Sequence, residues 1–126
     1  VRAQEEEITR RQALYRQDRR FPVLTDRTVI LVDDGIATGS TFFASVQSIR
    51  SLNPRRLIGA IPVGPVETIR EARAQVDELV VLATPDPFWA VGNHYVDFAQ
   101  VDDRDVVEYL NLAEEAMRER AESSSA

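Results

Sequence analysis

The apolar residues of this chain fall into three short blocks, and between the blocks they recur every third or fourth position. The blocks are residues 28–32 (TVILV), 57–63 (LIGAIPV) and 79–83 (LVVLA). The first does not alternate with polar residues, which is the pattern of a strand covered on both faces in a parallel sheet, and the other two read as further strands. After the first block, Phe42, Val46, Ile49 and Leu52 stand at helical spacing and predict a helix over 41–52 that Asn53-Pro54 stops. A second helix is predicted over 65–76, with Pro65 in the first turn, where its missing N–H is tolerated.

The ends are less regular. Residues 5–20 are charged and free of Gly and Pro, with a partial stripe of Ile8, Leu14 and Tyr15, so they predict a solvated helix ended by Phe21-Pro22. Residues 85–93, rich in Pro, Gly and aromatics, read as a loop, and 95–98 as a short fourth strand. Asp102 or Asp103 caps a last helix running from 105 to about 121, and 123–126 form a disordered tail. Strands alternating with helices predict the α/β class: one domain over 1–122, a Rossmann-like parallel sheet with flanking helices and right-handed crossovers. In such sheets ligands bind beyond the C-terminal ends of the strands. The first strand ends there on Asp33 and Asp34.

Composition narrows the chemistry. With 126 residues the chain holds one small core, and the absence of cysteine excludes disulfides, thiolate catalysis and Cys-ligated zinc. No apolar run reaches the roughly 18 residues of a membrane helix, so no membrane partner is expected and the cytoplasm is the expected compartment. The formal charge is −6 and every basic residue is a scattered Arg, which argues against a nucleic-acid partner. No mechanism that needs a lysine is open to this chain.

Two adjacent carboxylates destabilise each other unless a metal ion, a cationic ligand or hydroxyl donors offset them. Ala37-Thr38-Gly39-Ser40-Thr41 follows at the start of the predicted helix. A helix N-terminus offers unpaired N–H groups and partial positive charge, Gly39 permits close backbone approach, and the hydroxyls add donors. Such a turn can take a phosphate. Each half also has an ordinary reading, as a strand terminus and as a Ser/Thr cap. Together, about one turn apart, they match the two ends of a sugar phosphate.

Residues 29–41, VILVDDGIATGST, resemble the phosphoribosyl pyrophosphate (PRPP) signature of type I phosphoribosyltransferases. Residues 10–20 (RRQALYRQDRR), 61–65 (IPVGP) and 88–106 (FWAVGNHYVDFAQVDDRDV) are similar to a bacterial subgroup of that family with no assigned substrate. The resemblance implies a phosphoribosyltransferase-type fold and transfer of phosphoribose from PRPP to a nitrogen acceptor, with release of pyrophosphate. It implies that Asp33 and Asp34 serve the ribose hydroxyls, directly or through water on Mg²⁺, with no other direct metal ligand. It implies that Gly35, Ile36, Ala37, Thr38, Gly39, Ser40 and Thr41 line the sugar-phosphate site.

Gly35 stands where the signature more often has an apolar residue. Ala37 stands where purine-salvage members carry an Asp base, which disfavours a hypoxanthine- or guanine-type acceptor. Phe88 and Trp89 follow the third strand, where relatives often stack the acceptor ring; they read either as core or lid packing or as that platform, with Phe88 the candidate binding residue. His94, the sole histidine, reads as a loop residue. Only about 27 residues precede the signature strand, so the fold is expected to be incomplete on its N-terminal side, without the pyrophosphate loop. Three long strands would leave a sheet edge and an apolar face uncovered, so a homo-oligomer, pairing with a chain that supplies further strands, or a poorly stable isolated chain is expected. The alternative is a non-catalytic regulator or scaffold that binds PRPP or ribose 5-phosphate. A receiver domain would need a later phosphoacceptor Asp and a Lys, and a nucleotide-binding Walker pair would need a GxxxxGK[ST] loop; the chain has neither.

Overall fold

The computed structural model describes residues 22–125 together with positions 3, 6, 9, 10, 13 and 14. It divides into two compact units, residues 22–98 and the described residues of 1–21 with those after 98. In the larger unit three strands, β1 (Thr28–Val32), β2 (Arg56–Val63) and β3 (Glu78–Ala83), pair in parallel in the order β1-β2-β3. Helix α1 (Ser40–Arg50) joins β1 to β2, and α2 (Val66–Gln75) joins β2 to β3. Each predicted element of this unit up to β3 is found within one or two residues of its expected bounds. Strands added in one direction by crossovers of one hand put both helices on the same face. Phe42 and Val46 of α1 and Ile69 and Ala72 of α2 accordingly share one core with Leu57, Ile61 and Leu79 of the sheet.

Register sets which residues enter that core. Along β2, Leu57, Gly59, Ile61 and Val63 point to the helices and are buried, while Ile58, Ala60 and Pro62 on the other face are half-buried. Val29 and Leu31 of β1 and Leu79 and Val81 of β3 join the helix side. Their alternates do not. Ile30 is 61% exposed, Val32 71%, Val80 47% and Leu82 81%. The expectation that β1 is covered on both faces therefore holds for one face only. Within this unit nothing covers the other, although its side chains are as apolar as those of the core.

Gly59 is small for a packing reason, since a Cβ there would lie 2.6 Å from Leu79 Cδ1 and 3.0 Å from Phe42 Cζ. Asp77 pins the start of β2: its Oδ2 accepts from the Leu57 N–H at 2.6 Å and from Arg50 Nη1 at 3.2 Å.

The expected fourth strand over 95–98 is not formed. Residues 91–94 make a 3-10 turn, and the described chain beyond it pairs with no strand. Tyr95 and Phe98 pack ring on ring, with centroids 5.1 Å apart, in place of alternating across a pleat.

In the smaller unit, α3 (Asp103–Ser124) is capped by Asp102, whose side chain accepts from the Asp105 N–H at 2.9 Å. The helix starts two residues before its expected start and continues past its expected end at about 121, taking in Ser123 and Ser124. Arg10 bonds Asp103 at 2.9 Å. Positions 3, 6, 9, 10, 13 and 14 are helical; the remainder of the helix expected over 5–20 lies outside the described residues. No helix among the described residues is long and apolar enough to cross a membrane.

Candidate functional site

The strand-to-helix turn after β1 is built from both ends. At the acidic end the sheet ladder continues one residue past the strand, with the Asp33 N–H donating to Ala60 O at 3.2 Å. The Asp34 N–H then donates to the Asp33 carboxylate at 2.9 Å. Ile36 anchors the middle: its N–H donates to Val63 O at 3.0 Å and its side chain is 3% exposed in the core. Gly64, just past β2, permits that fit, because a Cβ there would sit 2.8 Å from Ile36 Cγ1.

The hydroxyl-rich end closes on Gly39, which caps α1 in the left-handed conformation at φ 79° and ψ 2°. Only glycine takes that conformation at little cost. Glycine is also needed sterically, since a Cβ at 39 would be 2.5 Å from Phe43 Cε2 and 2.9 Å from Thr68 Cγ2. Gly39 has no side chain to cap the first turn of α1, and Thr38 Oγ1 accepts from the Ser40 N–H only at 3.4 Å. The Thr38 and Ser40 hydroxyls lie 3.1 Å apart. Thr68 of α2 donates its hydroxyl to Ala37 O at 2.9 Å and fixes the turn from the neighbouring βα unit.

Asp33, Gly35, Ile36, Ala37, Thr38, Gly39, Ser40, Thr41 and Phe42 line one hollow of about 310 Å³. The first eight are all residues singled out from the sequence. Ile36 and Gly39 are buried and contribute backbone, while Thr38, Ser40 and Thr41 are exposed. Asp34 is exposed beside the hollow and does not line it.

Phe88 is not in this hollow. It stacks on His94, with centroids 5.3 Å apart and planes 19° from parallel, and it lines a separate depression with Pro65, Val66, Glu67, Pro85 and Asp86. Trp89 is 80% exposed.

Burial pushes the Asp33 carboxyl above the usual carboxylate range, and the neighbouring Asp34 carboxylate adds to the rise, while the Asp34 N–H opposes it. A carboxylate held in this way gains from any donor or cation brought beside it. Among the described residues no group of three or more His, Asp or Glu side chains could hold a metal ion by itself.

Two contributors were missed from the sequence. Thr68 lies one turn into the helix after the IPVGP segment, at the C-terminal end of the adjacent strand, so its place could have been read from topology. Tyr95 donates its hydroxyl to Asp34 O at 2.5 Å across 61 residues, and nothing local signals it.

Two Mycobacterium tuberculosis proteins, from strains CDC 1551 / Oshkosh and ATCC 25618 / H37Rv, are each named "Putative phosphoribosyl transferase". Each is 40% identical to this chain over 107 residues, covering 85% of it. The chain spans about a quarter (24%) of the length of these curated relatives. The crystal structure of TT1426 from Thermus thermophilus superposes with a TM-score of 0.76 at 38% identity, over 86% of this chain and 52% of that one. No family model matches the sequence. The chain is thus homologous to proteins named as phosphoribosyl transferases and shares its α/β fold with a solved structure.

Proposed function

We propose that the β1–α1 turn binds PRPP and that the chain is part of a type I phosphoribosyltransferase. The observation that carries this reading is the hollow shared by Asp33 and residues 35–42, with a carboxylate at one end and an α1 N-terminus lacking a strong side-chain cap at the other. The names of the mycobacterial relatives support the reaction class.

In this reading the 5′-phosphate sits on the N–H groups of the first turn of α1. The Thr38, Ser40 and Thr41 hydroxyls and the helix dipole favour its negative charge. Asp33 and Asp34 accept hydrogen bonds from the ribose 2′- and 3′-hydroxyls. Donors satisfy the carboxylate pair, which otherwise bears burial and mutual repulsion. As the bond from C1 to pyrophosphate lengthens, positive charge builds on the sugar, and the fixed carboxylates stabilise it. The acceptor nitrogen bonds to C1, the pyrophosphate leaves with the electron pair of the broken bond, and the nitrogen then gives up its proton.

Two adjacent carboxylates suit Mg²⁺ bound through water and substrate oxygens, since that ion keeps several waters and takes few protein ligands. Asp33 and Asp34 would hold it in that way, and it would neutralise charge on the departing pyrophosphate. Ala37 supplies no base toward an acceptor. Among the described residues one sheet face is bare and the outer edges of β1 and β3 pair with no strand, which favours an assembled state, either a homo-oligomer or pairing with chain that adds strands.

The test is calorimetric titration with PRPP and Mg²⁺, coupled to an assay for pyrophosphate over a panel of nitrogen acceptors. Binding of PRPP with acceptor-dependent pyrophosphate release is the expected result. Binding with no release for any acceptor would favour the regulatory role. A chain that binds neither PRPP nor ribose 5-phosphate overturns the site.

A further inference from the structure

Gly35 occupies the one signature position where a larger apolar residue is more usual, and the structure shows what takes the space. A Cβ on Gly35 would lie 2.7 Å from Val91 Cγ1 and 3.0 Å from Val63 Cγ1. Val91 opens the 3-10 turn that follows β3, two strands away from β1. The segment therefore crosses the C-terminal edge of the sheet and seats on the acidic turn.

Four residues on, the Tyr95 hydroxyl donates to the Asp34 carbonyl at 2.5 Å. The segment is knit to itself, with the Tyr95 N–H bonded to Gly92 O at 3.3 Å and the Tyr95 ring against Phe98. Gly92 lacks a Cβ where one would meet Phe98 Cδ1 at 2.8 Å. Asp34 is consequently held at both backbone atoms, its N–H by Asp33 and its carbonyl by Tyr95, while its carboxylate stays exposed.

We propose that Tyr95 is a positioning residue: with Val91 seated on Gly35, its hydroxyl sets the backbone of Asp34 and thereby aims the Asp33–Asp34 carboxylates at the sugar. This rests on the reading of the turn as a PRPP site, which it deepens by dividing control of the two ends. The phosphate end is fixed by α1 and Thr68, and the sugar end by residues 91–98. Tyr95 touches no substrate in this scheme. Its effect passes through the peptide unit of Asp34, whose freedom to rotate would let the carboxylates miss the ribose hydroxyls.

Tyr95→Phe removes one oxygen and keeps the ring on Phe98, so the fold is expected to survive. Calorimetry should show PRPP and ribose 5-phosphate bound about 10-fold more weakly, the effect of losing one positioning hydrogen bond. Inorganic phosphate, which needs only the helix end, should keep its affinity within about 2-fold. In a background carrying both Asp33→Asn and Asp34→Asn the Tyr95→Phe loss should largely vanish, because all three changes act on one grip. Equal weakening of phosphate and PRPP, unchanged PRPP affinity, or a full 10-fold loss persisting in that double background would each overturn the assignment.

If the wild-type chain binds neither sugar phosphate, the functional reading fails by itself, and the positioning role is judged on the free protein. There, three-bond NMR couplings across the Asp33 and Asp34 Cα–Cβ bonds should report broader rotamer populations in Tyr95→Phe than in the wild type. Unchanged couplings would overturn it.

Discussion

The acidic and the hydroxyl-rich halves of the β1–α1 turn lie close together in the chain, yet different parts of the fold hold them. The hydroxyl-rich half is fixed by its own helix and the next one: Gly39 fits against Phe43 of α1 and Thr68 of α2, and Thr68 bonds Ala37 O. Those partners belong to the βαβ units whose side chains form the core. The acidic half has the sheet ladder at Asp33, and beyond it a segment returning after β3, through Val91 and Tyr95. The end proposed for the phosphate is thus held by two packed βα units. The end proposed for the sugar also depends, at Asp34, on the chain beyond β3.

The largest test of this contrast is Gly39→Val. It forces a β-branched residue to φ 79° and drives its Cβ into Phe43 and Thr68. We expect a destabilisation of about 2–4 kcal/mol in urea unfolding, from strain and overpacking together, with phosphate binding lost. A Gly39→Val chain of wild-type stability would show that the hydroxyl-rich half is not fixed by its packing.

Next in size is the paired change Asp33→Asn with Asp34→Asn. Affinity for ribose 5-phosphate should fall on the order of 100-fold, since two charge-assisted acceptors are weakened at once. Inorganic phosphate should bind as well as before or slightly better, with two negative charges gone. If both ligands weaken together, the two ends are not separable and the comparison breaks.

Thr68→Val is subtler. It keeps a methyl group beside Gly39 and deletes the hydroxyl that holds Ala37 O. The expected cost is about 1 kcal/mol of stability. Phosphate affinity should fall a few-fold by calorimetry, with the ratio of PRPP to phosphate affinity unchanged. A selective loss of PRPP would move Thr68 to the sugar end.

The same division explains what the sequence made legible. The local features were readable. Five strand-forming residues, two acids and a Gly-containing hydroxyl cluster specify a strand, its end and a helix start, and eight of the residues singled out there line one hollow. The three strands and their two crossover helices followed from periodicity, because contacts near in sequence decide them.

Tyr95 was not readable, since its partner is 61 residues away and a Tyr in YVDF looks like a strand residue. Its ring instead packs on Phe98 while Val96 is left fully exposed, and no strand forms. Phe88 is placed against His94 for a related reason: an aromatic after a strand can stack on any nearby ring, and spacing does not choose. The bare sheet face was readable, because three strands leave one apolar face uncovered, but its cover was not. Ile30, Val32, Val80 and Leu82 show in their chemistry that those strands are suited to cover on both sides, but side-chain type carries no information about what supplies the cover.

The smallest effect concerns proton binding, where Asp33 and Asp77 make opposite predictions. Burial raises the folded-state pKa of Asp33 above 3.8. Between those two values the folded chain binds more proton than the unfolded one, so this group's contribution to stability falls as pH rises. At neutral pH the ionised Asp33 is a small liability to the free protein. Asp33→Asn keeps an oxygen that can accept from the Asp34 N–H and removes the charge. It should raise stability at pH 7 by under about 0.5 kcal/mol, solvent screening keeping the gain small.

Asp77 goes the other way. The Leu57 N–H and then Arg50 hold its folded-state pKa below 3.8, so its contribution is complete above that value and is lost as pH falls beneath it. Asp77→Asn should therefore lower stability at pH 7 and reduce the loss on acidification. Thermal melts of both variants from pH 3 to pH 7 read the two signs directly. A stabilised Asp33→Asn chain that binds ribose 5-phosphate less well would show a carboxylate kept at a cost to the fold for what it binds. A destabilised one would place Asp33 with Asp77, as a residue that holds its strand.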